Sequence, residues 1–421
     1  MKRRDLLTTA LLGAGATLAL GTGNARAADP AAPDTPSDLK ITRVRVFNPA
    51  NSSNLNGPIG LSEIVVAVDT NAGITGYGQG GTPDLLKYAA SLLIGQDPLR
   101  IEHHWQRMYR SSIYPAGREK LTAVGALDCA LWDIKGKRLG APVYQLLGGR
   151  TRNYIECYKS YGLLRIDQAR EEARKTMAEG YKAVRSHGVA GENTVFDGRR
   201  SIANIVAMCR ELREGVGPKG EFIFDAHTRL SLPDAARLCD ALQPLDPLFV
   251  EDPLRQMDDL TLYQRLRERV NVPLAAGEQF GEMRDGNLQL VEQGFIDFLR
   301  SSIPNVGGIS AYRKIAALCE AHSVVLTPHF TSPIATAAVA HCLMSHGGEA
   351  LNEAYRTALP AYLNEGAVFR EGRLHVTDRP GLGVVFDERR AQLVATWTQA
   401  RPAELYQGES AERPDGSHLY L

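Results

Sequence analysis

Polar residues recur at a nearly fixed interval through the second half of this chain, and that interval restricts the fold more than any other feature of its 421 residues. Asp225, Glu251, Glu278, Ser302, His329 and Glu353 follow one another after 26, 27, 24, 27 and 24 residues, and each closes a short apolar run. A strand, a helix and their turns use about that length, so each interval reads as one βα unit. Eight such runs are legible, at 154–160, 182–187, 221–227, 248–251, 273–278, 296–302, 324–329 and 350–353. Eight parallel units within about 200 residues predict an α/β fold, a (β/α)8 barrel of the TIM type, which gathers chemistry at the carboxyl ends of its strands. A doubly wound open sheet is the alternative, and no GxGxxG follows the first run to favour it.

The hydrophobic fraction of 44% supplies a large core, and with 23% charged residues it excludes a disordered or multi-span membrane chain. Lys+Arg and Asp+Glu both number 48, so no net positive field is available to hold a phosphate backbone, and nucleic acid is not an expected partner. Residues 38–150 read as a separate α+β unit ahead of the barrel. Strand patterns at 39–48 and 62–69 precede a glycine-punctuated turn with Gly73, Gly76 and Gly78. A helix over 121–138 then carries Leu127, Ala130, Leu131 and Ile134 on one stripe, and Gly148 and Gly149 close the unit. The barrel is expected over 151–368. The tail, 369–421, contains Pro380-Gly381-Leu382-Gly383 and is expected to return to the first unit.

Residues 1–27 read as an export signal, in which Lys2-Arg3-Arg4 leads into an apolar stretch from Leu11 to Leu20 and a small-x-small Ala25-Arg26-Ala27. That stretch is too short to span a bilayer, so the mature chain is expected to lack a membrane span and to be periplasmic or otherwise exported. The paired arginines resemble a twin-arginine signal, with an ordinary secretory signal as the alternative. Residues 28–37 read as a tether. Cys129, Cys157, Cys209, Cys239, Cys319 and Cys342 show neither framework nor metal-like spacing and read as buried packing residues.

Asp225, Glu251 and Glu278 end three successive units, so three carboxylates should meet at one rim and repel unless a cation lies between them. An all-oxygen set of this kind suits Mg2+, with Mn2+ as a substitute. One strand-end carboxylate alone often caps the following helix, whereas three in register favour a metal site.

Phe224-Asp225, Val250-Glu251-Asp252-Pro253, Gly277-Glu278-Gln279 and Asn305-Val306-Gly307-Gly308-Ile309 resemble the metal-site strands of the enolase superfamily, in its mandelate racemase and muconate lactonizing branch. The stretches 130–137 and 142–149 are similar to that branch's junction of cap and barrel. The resemblance implies a modified TIM barrel, an α+β capping domain completed by the C-terminal segment, one Mg2+ on Asp225, Glu251 and Glu278, and removal of a proton α to a carboxylate. Asp225-Ala226-His227 resembles the Asp-x-His of the mannonate and gluconate dehydratases, which implies that His227 protonates the departing hydroxyl. Period-two alternation would set both side chains on one face of the strand. His329 is similar to the branch's seventh-strand catalytic histidine, but Ser302 stands where its aspartate partner is usual, so His329 is expected as a base or as a substrate ligand. Glu353 resembles the glutamate that binds the substrate carboxylate or enolate. Arg185-Ser186-His187 replaces the branch's Lys-x-Lys and excludes a lysine base, and the tyrosine that works with such an arginine in the mannonate dehydratase group is absent from 192–200. Arg185 is therefore expected to bind substrate and stabilise the enediolate, and His187 is the first candidate for the base.

These residues lead to an expected Mg2+-dependent lyase that dehydrates a sugar acid, such as mannonate or gluconate, to a 2-keto-3-deoxy acid by way of an enediolate. A racemase, epimerase or cycloisomerase sharing that enolate is one alternative, weakened by the loss of both Lys-x-Lys and His-Asp. A non-catalytic, metabolite-binding barrel is another. The expected partner is the small-molecule acid, and the chain is expected to form a homo-oligomer. The polar stretch 48–57 and the segment 114–118 are candidates to meet substrate hydroxyls from the cap.

Overall fold

The β-branched runs nearest the amino terminus pair as an antiparallel meander of β1 (Ile41–Pro49), β2 (Val65–Thr70) and β3 (Thr75–Gln79). A computed structural model of the chain describes residues 38–49, 63–111, 117–189, 197–255, 259–281, 286–400, 413 and 415–418. The expected export signal and tether, residues 50–57 of the polar stretch, 114–116 and 192–196 lie outside the described residues. Helices α1 (Pro83–Ser91), α2 (Ile101–Arg110) and α3 (Arg118–Leu139) complete the cap. Sequence periodicity gives α3 a single apolar stripe, but every residue from Leu121 to Ile134 is buried. A helix covered on all sides is a core helix, and α3 lies between the cap sheet and the barrel. The glycines around position 76 also differ from expectation. Gly73 alone makes the turn, with φ 73, while Gly76 and Gly78 sit within β3. A Cβ at these two positions would come within 2.1 Å of the Ala130 carbonyl and 1.8 Å of the Ala126 carbonyl, so their role is to let β3 lie directly on α3.

The barrel strands are β4 (Ile155–Ser160), β5 (Ala183–Ser186), β6 (Glu221–Asp225), β7 (Phe249–Glu251), β8 (Leu274–Ala276), β9 (Phe298–Leu299), β10 (Val325–Leu326) and β11 (Asn352–Ala354). They pair in parallel in chain order from β4 to β10. β11 pairs back with β4, and the bridge between Leu326 and Ala350 closes the ring. Its interior is filled by Tyr158, Ala183, Ile223, Phe249, Ala275 and Leu351. The chemistry lies above that plug, at the carboxyl rim. Strands stop at that rim earlier than the apolar runs suggest. His227 and Thr228 adopt left-handed φ values of 52 and 58, so strand alternation ends at Asp225 and does not carry to His227. Gly277, at φ 123, breaks β8 before Glu278.

Two buried aspartates of α3 fasten the cap. Asp128 accepts from the Ser310 N–H at 3.0 Å and the Ser310 hydroxyl at 2.6 Å, at the start of the helix Ile309–Ala321, and Trp132 Nε1 donates to the same hydroxyl at 2.9 Å. A Cβ at Gly308 would lie 2.5 Å from the Asp128 carboxylate, which explains the paired glycines 307 and 308 by close packing. Asp133 accepts from the Tyr77 N–H at 2.9 Å, the Leu382 N–H at 2.8 Å and Lys137 Nζ at 2.7 Å. The segment Pro380–Gly383 therefore docks on the cap. Beyond it β12 (Ala391–Trp397) pairs antiparallel with β1 as the fourth cap strand, while Arg373–His375 pairs with the start of β4. All six cysteines are buried and free. No helix among the described residues is long and apolar enough to cross a membrane.

Burial pushes the Asp128 carboxyl from 3.8 up to about 7, against the opposing hydrogen bonds of Ser310. Its folded pKa lies above its unfolded one, so the fold holds the proton more tightly than the open chain does. The resulting stability is complete below about pH 4 and is lost as pH rises to about 7. Asp128→Asn should remove that downward slope from a plot of unfolding free energy against pH. An unaltered slope in urea titrations between pH 4 and 7 would refute the assignment.

Candidate active site

Two buried arginines organise the rim. Arg185, on β5, donates from Nε to Glu251 at 2.9 Å, from Nη1 to Glu353 at 3.1 Å and to Ser160 at 2.7 Å, and from Nη2 to Asp225. Arg300, one residue beyond β9, donates from Nε to Glu251 at 2.6 Å, from Nη1 to the Thr327 carbonyl at 2.8 Å and from Nη2 to Glu353. Its Nη2 is 3.8 Å from Glu278, and its guanidinium lies 5.7 Å from the Tyr158 ring centroid, on top of the barrel plug. Arg185 stands where sequence placed it. Arg300 is not among the residues that the strand-end spacing marks, because the regular interval falls on Ser302. The available signal was a cation inside the apolar run 296–302 with the strand parity of Ser302.

Burial and charge sort the carboxyls. Burial pushes Glu353 up, but Arg185 and Arg300 outweigh it and hold Glu353 well below the usual carboxylate range. For Glu278 the same burial is outweighed by His329, Arg300 and Arg185, so it too is held below its ordinary value. Asp225 is raised far above it, chiefly by burial, with Arg185 opposing and Glu251 assisting. Asp252 is raised likewise, by burial and then by Glu278, Glu251 and Asp225.

The sequence expectation joined Asp225, Glu251 and Glu278. Among the described residues, the trio that the structure brings together is Asp225, Glu251 and Asp252, with one oxygen of each within 4.8 Å of the others. Asp252 Oδ2 accepts from Gln279 Nε2 at 2.6 Å, while its Oδ1 is buried without a hydrogen-bond partner. Glu278 has turned toward His329, with its Oε2 3.6 Å from His329 Nε2 and lacking a hydrogen bond. Five carboxylates, Asp225, Glu251, Asp252, Glu278 and Glu353, thus face two guanidiniums. The residual negative charge, the raised pKa values of Asp225 and Asp252, and the orphaned oxygens fit a divalent cation that would displace protons from these groups.

The histidines fall into two places. His187 and His227 stack, with ring centroids 5.1 Å apart and planes 10° from parallel. Burial, then Arg185, pushes His187 down to about 4, and burial also lowers His227 against the pull of Glu278. Arg229 Nη2 lies 3.3 Å from His227 Nδ1. His329 stands across the site, and its Nδ1 lies 2.7 Å from the Phe330 carbonyl. A carbonyl only accepts, so Nδ1 of His329 carries a proton, and in the neutral ring Nε2 is the atom left with a lone pair. This carbonyl takes the place of the missing aspartate; Ser302, buried nearby, accepts through its own carbonyl from the Val306 N–H at 3.2 Å. Of the expected cap contacts, Arg118 donates to the Gln279 carbonyl at 3.2 Å.

Comparison with known proteins agrees with this geometry. The mandelate racemase / muconate lactonizing enzyme N-terminal domain matches residues 58–148, and the enolase C-terminal domain-like family matches 168–390. A D-galactonate dehydratase family member from Streptomyces bingchenggensis is 34% identical over 369 residues, spanning 79% of this chain and 89% of its own. A D-mannonate dehydratase of a Caulobacter species is 33% identical over 368 residues, spanning 79% and 91%. The crystal structure of an enolase from Pantoea ananatis with bound D-gluconate and Mg superposes with a TM-score of 0.76 at 29% identity, covering 84% of this chain and 94% of that one. A capping domain seated on a closed eight-stranded barrel, acidic residues at successive strand ends and relatives matched over most of their length lead to one conclusion: this chain belongs to the mandelate racemase and muconate lactonizing enzyme family of the enolase superfamily.

Proposed function

We propose that this protein dehydrates a sugar acid bearing hydroxyls on the two carbons next to its carboxylate, giving a 2-keto-3-deoxy acid. Mg2+ is the proposed ion, with Mn2+ as a substitute, on Asp225, Glu251 and Glu278. The observation that carries this reading is the placement of His227 after β6 and His329 after β10, on opposite sides of the eight-stranded ring, around one acidic rim. The names of the dehydratase relatives support the same reaction class.

A divalent ion in this site supplies the positive charge that makes the α-proton of a carboxylate removable. His329 Nε2 takes that proton, and the C–H electron pair becomes the enediolate. Arg185 and Arg300 hold Glu353 ionised and fix its place at the rim. As the C–C double bond forms, the β C–O bond breaks and the hydroxyl leaves as water with a proton delivered through His227. The enol product then becomes the 2-keto acid. His187 has a supporting place in this scheme, behind the His227 ring, and is not the base.

Purified protein with Mg2+ should release 2-keto acid from at least one member of an aldonate panel. Binding of an acid with no turnover anywhere on the panel would instead favour the metabolite-binding barrel. Calorimetry tests the ion: Glu251→Ala and Glu278→Gln should each weaken Mg2+ binding by roughly tenfold or more, and Asp252→Asn by much less, since Gln279 already engages it. A dominant loss in Asp252→Asn would move the third ligand to that residue. Exchange of the substrate α-proton with deuterated solvent separates the two steps. His329→Asn should slow exchange by roughly 100-fold or more, while His227→Asn should stop water release and leave exchange running. Normal exchange in His329→Asn with loss in His187→Asn would return the base to β5.

A further inference from the structure

We propose that Arg229 is a positioning residue that fixes the tautomer of His227. The two side chains are placed by the unusual backbone that follows β6. His227 and Thr228 both turn left-handed, and the turn is pinned to β7 by the Ala226 N–H on the Glu251 carbonyl at 2.9 Å and the Thr228 N–H on the Asp252 carbonyl at 2.8 Å. On the other side, Leu230 is buried and bridges to Leu254, while the Arg255 N–H reaches the Leu230 carbonyl at 2.9 Å. Arg229 therefore leaves the main chain from a segment anchored on both flanks.

Its guanidinium spans the histidine pair. Nη2 sits 3.3 Å from His227 Nδ1, and Nη1 donates to the His187 carbonyl at 3.4 Å. A guanidinium has donors only, so His227 Nδ1 is the acceptor and the ring proton belongs on Nε2. The stacked His187 ring, 5.1 Å away and nearly parallel, limits tilting of the His227 plane. Without Arg229 nothing at Nδ1 among the described contacts would distinguish the two neutral tautomers, and an Nδ1–H ring would present a lone pair where the departing hydroxyl needs a proton. Positioning partners of catalytic or metal-bound histidines are typically worth roughly 10- to 100-fold. The catalytic part of this claim rests on His227 acting in dehydration as proposed above; the tautomer itself does not.

Long-range 1H–15N spectra of the full chain without metal or substrate test the tautomer directly. Wild-type His227 should show a protonated Nε2 and a bare Nδ1. Arg229→Met should bring in the Nδ1–H form, and Arg229→Lys, which keeps a cationic donor, should restore much of the wild-type pattern. Kinetically, Arg229→Met should lower kcat for dehydration by roughly 10- to 100-fold, with KM changed by less than about threefold and solvent exchange of the α-proton preserved. An unchanged His227 tautomer in Arg229→Met overturns the proposal. So does parallel loss of exchange and dehydration in that variant. Failure of the wild-type protein to dehydrate any acid would sink the dehydratase reading alone, because the spectra would still decide the tautomer.

Discussion

Two guanidiniums buried at the top of the barrel hold the rest of the site in place. Each bonds carboxylates from different strands: Arg185 links β5 to β6, β7 and β11, and Arg300 links the end of β9 to β7 and β11. Isolated charges at this depth would cost several kcal/mol each, and only dense pairing offsets that loss. The pairing is incomplete by design of the sequence, since five carboxylates meet two arginines. Charge left over at this depth suits a divalent cation, and it also spreads the carboxyl pKa values apart, with Glu353 and Glu278 held below their ordinary values and Asp225 and Asp252 raised above theirs.

The cap acts on this rim through rigid packing. α3 is buried along most of its length, and its two aspartates tie it to the barrel helix Ile309–Ala321 and to the returning tail. The first residue of the same helix, Arg118, reaches the Gln279 carbonyl beside Glu278, while Asn305 donates to the Glu278 carbonyl at 2.9 Å. The main chain that carries Glu278 is thus held from both the cap and the loop after β9. The glycine pair at 307 and 308 serves this contact: with φ near 95 and no Cβ, the loop can approach Trp105 and Asp128.

The two histidines differ in what touches Nδ1. A carbonyl at His329 and a guanidinium at His227 demand opposite protonation of that atom. The Phe330 N–H also donates to Glu353 at 3.1 Å, which couples the placement of His329 to the carboxylate that both arginines hold.

Repetition made the barrel legible from sequence. Each βα unit repeats its apolar run and its polar terminus, so the strand order and the rim positions of Asp225, Glu251, Glu278, His329 and Glu353 follow from local pattern alone. The metal-like charge of the rim follows too, because residue type is a property of the sequence. Contacts between units are not encoded in any one repeat. Arg300 becomes visible as a site residue only when the closed ring brings Glu251 and Glu353 to it, and Asp252 joins the acidic trio because a left-handed φ of 42 turns it inward. Alternation failed at His227 because a strand pattern holds only while the backbone stays extended, and His227 and Thr228 turn left-handed. Gly76 and Gly78 read as turn residues until α3 is seen lying against them. The sequence by itself determined which groups reach the rim; the tertiary structure decided which of them meet and what faces Nδ1 of His227 and of His329, since both depend on neighbours that are distant along the chain or on backbone turns that residue pattern does not reveal.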